Sequence, residues 1–143
     1  MTRTVKTETT MPGRRRAAVT GALGLAAVAL TAVPAHAKGT VEVTAPRTAA
    51  VGKTFTVTAH GDDDAASYLR ICLQERSGGQ AWHQVTCGAV AERGGAEAQA
   101  VAHPKSAHRG PVEFRAVAYG LTGPHDQHPK QWRTSTVATV QVR

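Results

Sequence analysis

The sequence predicts an all-β, antiparallel sandwich of about seven strands, preceded by an export signal. Three observations carry this. Apolar and polar residues alternate with a period of two in short runs; Gly, Pro and Asp punctuate those runs; and no long stripe of helical period interrupts them.

The first strand is expected at Thr40–Ala45, where Val41 and Val43 alternate with polar neighbours until Pro46 ends the run. Arg47–Gly52 reads as a turn. The second strand is Lys53–His60, with Phe55, Val57 and Ala59 on one face and three threonines on the other. In the third, Ser67–Glu75, Leu69, Ile71 and Leu73 alternate with Tyr68, Arg70, Cys72 and Gln74. The Ser77-Gly78-Gly79-Gln80 turn returns the chain as Ala81–Cys87, making a hairpin. Cys72 points away from the Leu/Ile face, whereas Cys87 shares parity with Val85, so a bulge or an early strand end is needed to bring the two together. Ala96–His103 is a strand of small residues that buries little by itself. Val112–Tyr119 sets Phe114, Ala116 and Ala118 against Glu113, Arg115, Val117 and Tyr119, and Thr134–Val142 closes the domain. Strands this short, with no room for crossover helices, pack as two antiparallel sheets.

Ahead of the strands, Arg14-Arg15-Arg16, the apolar run Ala17–Val33 and Ala35-His36-Ala37 form the three parts of an export signal, with cleavage expected after Ala37. The run is short for a membrane span and ends at Pro34, so no stable membrane anchor should remain; general secretion and twin-arginine export both stay open. Residues 1–37 hold five of the 17 Lys and Arg and one of the 10 Asp and Glu, so residues 38–143 carry 12 basic and 9 acidic side chains, a net of +3. The positive charge of the whole chain therefore belongs mostly to the signal, and a nucleic-acid partner is not expected. The expected product is one secreted domain, 38–143, and a monomer.

Cys72 and Cys87 are the only cysteines, and in an oxidising compartment they should form one disulfide. A redox pair would need a C-x-x-C spacing and a metal site more ligands.

The opening Val41-Glu42-Val43-Thr44-Ala45-Pro46 with Val51-Gly52-Lys53-Thr54-Phe55-Thr56-Val57, the run Phe114-Arg115-Ala116-Val117-Ala118-Tyr119, and the closing Ser135–Val142 resemble bacterial secreted immunoglobulin-like or fibronectin type III-like β-sandwich domains. The resemblance covers nearly all of 38–143 and implies an immunoglobulin-like sandwich. It departs from antibody domains in its cysteines, which are too close in sequence to join two sheets across a core.

Six histidines fall in the domain, at 60, 83, 103, 108, 125 and 128. The long connection 120–133 holds His125, His128, Lys130 and Trp132, and an exposed Trp beside Lys and Arg is a good contact anchor; the alternative is that Trp132 begins the last strand and packs. The loop before Val112 adds His103, Lys105, His108 and Arg109. His125-Asp126-Gln127-His128 could approach a metal, but solvated loop histidines are the simpler reading, as a solvated turn is for Asp62-Asp63-Asp64. Packing is the default for Trp82. Ser106 lies near two histidines without the second carboxylate or nucleophile elbow of a hydrolase, so no enzyme and no cofactor are expected. The function expected is a non-enzymatic extracellular binding module whose loops, at one end of the sandwich, contact a protein or cell-surface polymer. Two other classes stay open. One is a small-ligand or metal carrier using a concavity beside Ala98–Ala102; the other is a secreted hydrolase inhibitor presenting Ala102–Lys105 or the long loop.

Overall fold

The alternating runs form ten strand segments: β1 (Gly39–Thr44), β2 (Thr48–Ala49), β3 (Val57–Asp63), β4 (Tyr68–Ser77), β5 (His83–Cys87), β6 (Ala91–Glu92), β7 (Ala98–Ala102), β8 (Gly110–Leu121), β9 (Lys130–Thr134) and β10 (Ala138–Val142). A computed structural model of the chain describes residues 39–92 and 97–143, so the export signal expected at 1–37 lies outside the described residues. One sheet has the order β1-β3-β7; the other runs β2-β10-β8-β4-β5, with β6 also on β4 and β9 also on β8. Because β5 and β6 line the same side of β4, and β9 and β10 the same side of β8, the segments reduce to the seven expected strands plus the two-residue β2.

Four local expectations need correction. The turn expected at 47–52 contains β2, which pairs in parallel with β10 through Thr48 and Gln141, the one parallel ladder among otherwise antiparallel pairs in the described residues. Regular pairing of the second strand begins at Val57 rather than Lys53, although Phe55 N–H still donates to Pro104 O at 3.1 Å and Thr54 bridges Lys105. That strand also runs on through Asp62 and Asp63, which were expected in a turn. Asp62 accepts from the Thr40 N–H and hydroxyl at 2.7 and 2.6 Å, and these bonds hold its carboxyl below the ordinary aspartate range. The last strand is interrupted at 135–137, where the Ser135 hydroxyl accepts from Ala116 N–H at 2.9 Å and donates to Thr136 O at 2.7 Å, taking over the ladder bond that the break would leave open.

The parity conflict at the cysteines is resolved by a bulge. Leu73 pairs with Thr86 but Gln74 with Gln84, so Val85 is the extra residue, and its insertion turns Cys87 to the side of Cys72. The two cysteines face each other across β4 and β5 with Cα atoms 4.0 Å apart and are joined as a disulfide.

The core lies between the sheets. Val57, Ala59, Ala98, Ala100 and Ala102 come from the smaller sheet; Leu69, Ile71, Leu73, Phe114, Ala116, Val140 and Val142 come from the larger, and all are buried. Phe55 meets Phe114 edge-to-face at 5.9 Å. Small residues set how closely the sheets approach. A Cβ on Gly61 would fall 2.5 Å from Ile71 Cδ1, so Ile71 occupies the volume that Gly61 leaves, and Ala98–Ala102 is packed inside this cluster rather than open as a concavity for a ligand. Val117 is also fully buried, on the other face of β8, opposite Cys72.

Candidate functional site

The two groups of candidate residues lie at opposite ends of the sandwich. β8 runs from Gly110 to Leu121 without leaving the sheet. The loop that precedes it and the loop that follows it are therefore separated by the length of a twelve-residue strand, about 35 Å at the usual rise. His103, Lys105, His108 and Arg109 stand at the Gly110 end; His125 and His128 stand at the Leu121 end, so the expectation of one surface made from both loops does not hold.

At the Leu121 end the connection is shorter than expected, because β8 reaches Leu121 and β9 begins at Lys130. Lys130 and Trp132 are strand residues, not loop residues. The Trp132 side chain is 43% exposed, yet its ring lies across Gly120, where a Cβ would come within 2.2 Å of Cε2. Packing and exposure are therefore both realised at Trp132. Arg133, a neighbour in the same run, donates through Nε to Asp63 Oδ2 at 3.1 Å and ties β9 to β3. His125 and His128 are exposed, and the carboxylate between them is turned inward on its own loop. Asp126 accepts from Thr122 N–H at 2.9 Å, His128 N–H at 2.8 Å and the Thr122 hydroxyl at 2.9 Å.

These bonds to the Thr122 and His128 amides and the Thr122 hydroxyl hold the Asp126 carboxyl below its ordinary value of 3.8. A depressed folded-state value means that the loop's order is present above the ordinary value and is lost as pH falls through the depressed one. In an acid titration followed by NMR, the amide resonances of Thr122 and His128 should therefore move together, with a midpoint below 3.8. A midpoint at or above that value would contradict the hydrogen-bond arrangement.

At the Gly110 end the site is built by backbone pairing that continues past β7. The bridge from Thr54 to Lys105, the bond from Gly52 N–H to Ser106 O at 2.8 Å and the contact of His103 Nδ1 with Thr56 Oγ1 at 3.2 Å hold residues 103–106 against 52–56. The Ser106 hydroxyl donates to the backbone carbonyl of His108 at 2.8 Å, so it shapes the loop and is not aimed at an imidazole. Beyond it, the chain faces the β4–β5 turn across a cleft of about 290 Å³. Ser77, Gly78 and Gln80 form one wall; Ser106, His108, Arg109 and Gly110 form the other, over Pro111 and Val112. Gly78 and Gly110 have φ of 56° and 129°, backbone that glycine adopts without strain. Of the eight residues expected to bind, His108 and Arg109 line this cleft, while His103 and Lys105 are exposed beside it. The opposite wall, Ser77 to Gln80, was read only as a turn; its proximity follows from the register that places Ser77 opposite Val112. Among the described residues no group of three His, Cys, Asp or Glu side chains converges as metal ligands would.

A second cluster lies on the outer face of the larger sheet. The Trp82 ring stands against the guanidinium groups of Arg76 and Arg115, at 4.5 and 4.4 Å from its centroid. Arg76 is paired with Glu113, and Arg115 donates to Gln74 at 2.8 Å, so each cation already has a polar partner.

No protein-family model and no curated protein matches the chain. Among solved structures, the CARDB domain of the PF1109 protein from Pyrococcus furiosus, crystallised in complex with di-metal ions, is similar with a TM-score of 0.52 at 12% identity, over 73% of this chain and 87% of that one. The solution NMR structure of that domain gives a TM-score of 0.52 at 13% identity, over 73% of this chain and 93% of that one. At such identity the likeness is one of fold: this chain is an immunoglobulin-like β-sandwich, as its strand pattern and the resemblance imply.

Proposed function

We propose that the chain is a secreted bacterial binding module, without catalytic activity, that contacts a protein or cell-surface polymer through the loops at its Gly110 end. The observation that supports this reading most is the cleft of about 290 Å³ between the β4–β5 turn and residues 106–112, with Arg109 and His108 on one wall. Both walls are anchored in paired β4 and β8, so the site is held in shape before a partner arrives. Ser106, the hydroxyl nearest these histidines in sequence, is engaged by its own loop, and the Thr56 hydroxyl that meets His103 Nδ1 at 3.2 Å has no Asp or Glu in the segments 45–56 and 103–109 to orient that imidazole as a base. The disulfide and the apolar leader favour an extracellular location.

Retention of the purified protein on intact producer cells, and on proteins of their culture medium, tests the reading. The double variant H108A/R109A should lose roughly tenfold or more in affinity, while a variant with residues 123–129 replaced by a short Gly-Ser linker should bind as the parent does. The opposite pattern would move the contact surface to the Leu121 end and overturn the proposal.

A further inference from the structure

The charges of this domain are sorted between its two ends. The segments at the Gly110 end, 45–56, 78–82, 103–109 and residue 143, contribute Arg47, Lys53, Lys105, Arg109 and Arg143, with His103 and His108, and no Asp or Glu. Glu75 and Glu113 lie further along the strands, and Glu113 is paired with Arg76. At the Leu121 end the described residues place Asp62, Asp63, Asp64, Glu92, Glu97 and Asp126 against Arg70, Lys130 and Arg133, while Glu42 stands midway along β1. The net charge of 38–143 is small, so this segregation is hidden in the total. The ends are separated by about 35 Å of strand, several times the Debye length of about 8 Å at physiological salt. Each end therefore presents its own field to a partner.

We infer that the Gly110 end binds a polyanion of the cell surface, one whose charge is carried on spaced carboxylate or phosphodiester groups. The inference rests on the reading of that end as the contact surface and names the chemistry it takes. The cleft has no carboxylate among its lining residues, and Arg109, His108, Ser77 and Gln80 offer it donors of positive or neutral charge. Its volume of about 290 Å³ admits one anionic group with part of the unit that bears it, while Pro111 and Val112 supply an apolar floor. Lys53, Lys105 and Arg143 stand around it as exposed cations for neighbouring charges of the same polymer. The lining holds no Phe, Tyr or Trp, and its one ring is the His108 imidazole, so the cleft offers little for nucleic-acid bases to stack on and fits the spaced anionic groups of a polymer instead.

Titration of the full chain with poly-L-glutamate, poly(glycerol phosphate) and single-stranded DNA of matched charge tests this. One of the first two should bind, with an affinity that falls about tenfold or more in K105Q/R109Q, is unchanged in K130Q, and drops steeply as salt is raised from about 50 to about 300 mM. The polymer bound more tightly identifies carboxylate or phosphodiester as the recognised group. The inference is overturned if neither polymer binds the parent protein, if K130Q loses as much as K105Q/R109Q, or if DNA binds more tightly than both. If neither polymer binds while retention on cells still depends on His108 and Arg109, the anion assignment falls and the contact surface stands.

Discussion

Replacing Gly88 by alanine is expected to destabilise the domain by about 3 kcal/mol, the largest effect among alanine substitutions at the described glycines. Gly88 follows Cys87 where the chain passes from β5 to β6, and its N–H donates to Ile71 O at 2.9 Å. A Cβ built there falls 1.7 Å from the carbonyl oxygen of Gln99 and 2.7 Å from its carbon. Those are backbone atoms of β7, so no change of rotamer relieves the overlap. β7 is held on its other side by β3 through five register pairs, and retreat would open the Ala98–Ala100–Ala102 face of the core. Thermal unfolding should show a midpoint lowered by roughly 10–20 °C. Gly123→Ala, where a Cβ meets nothing within 4 Å, is the matched control and should change little. Equal midpoints for the two variants would mean that the strands can part at no cost.

Removing the disulfide by the double substitution C72A/C87A should cost a similar amount, about 3 kcal/mol for a closed loop of this length. The bond joins partners that β4 and β5 already place opposite each other, so its main effect falls on the unfolded chain and less on the native geometry. The folded spectrum of the double variant should therefore match the parent while its unfolding midpoint falls. Treatment of the parent with a thiol reductant should lower the midpoint by the same amount and leave the variant unmoved. A reductant effect that persists in the variant would contradict this assignment.

Strand identity was legible because period-two alternation survives wherever one face meets the core, as at Phe114, Ala116 and Ala118. Strand ends were less so. Asp62 and Asp63 carry the composition of a turn, and what keeps them in β3 is non-local: Thr40 from one direction and Arg133 from the other. β9 was legible only in part, as the alternative in which Trp132 begins the last strand, since Lys130–Thr134 has no apolar alternation and is a strand only because the far half of β8 offers it a partner. The bulge was foreseeable, because two cysteines of opposite parity cannot otherwise meet. Of the candidate site, the residue types were readable but their grouping was not followed through. A loop before a long strand and a loop after it must lie at opposite ends, which alone separates His108 from His125. The opposite wall of the cleft, Ser77 to Gln80, depends on register and carries no mark in its composition.

The irregularities along the larger sheet also bear on how the protein behaves when concentrated. On one flank, β5 is bulged at Val85 and broken at Gly88 before β6; on the other, the edge is divided between β9, whose register with β8 shifts between Ala118 and Tyr119, and β2, which offers two residues in a parallel ladder. Neither presents the long, flat row of free N–H and C=O groups on which a foreign strand could template itself. The larger sheet thereby has an inbuilt barrier to polymerising through these two flanks.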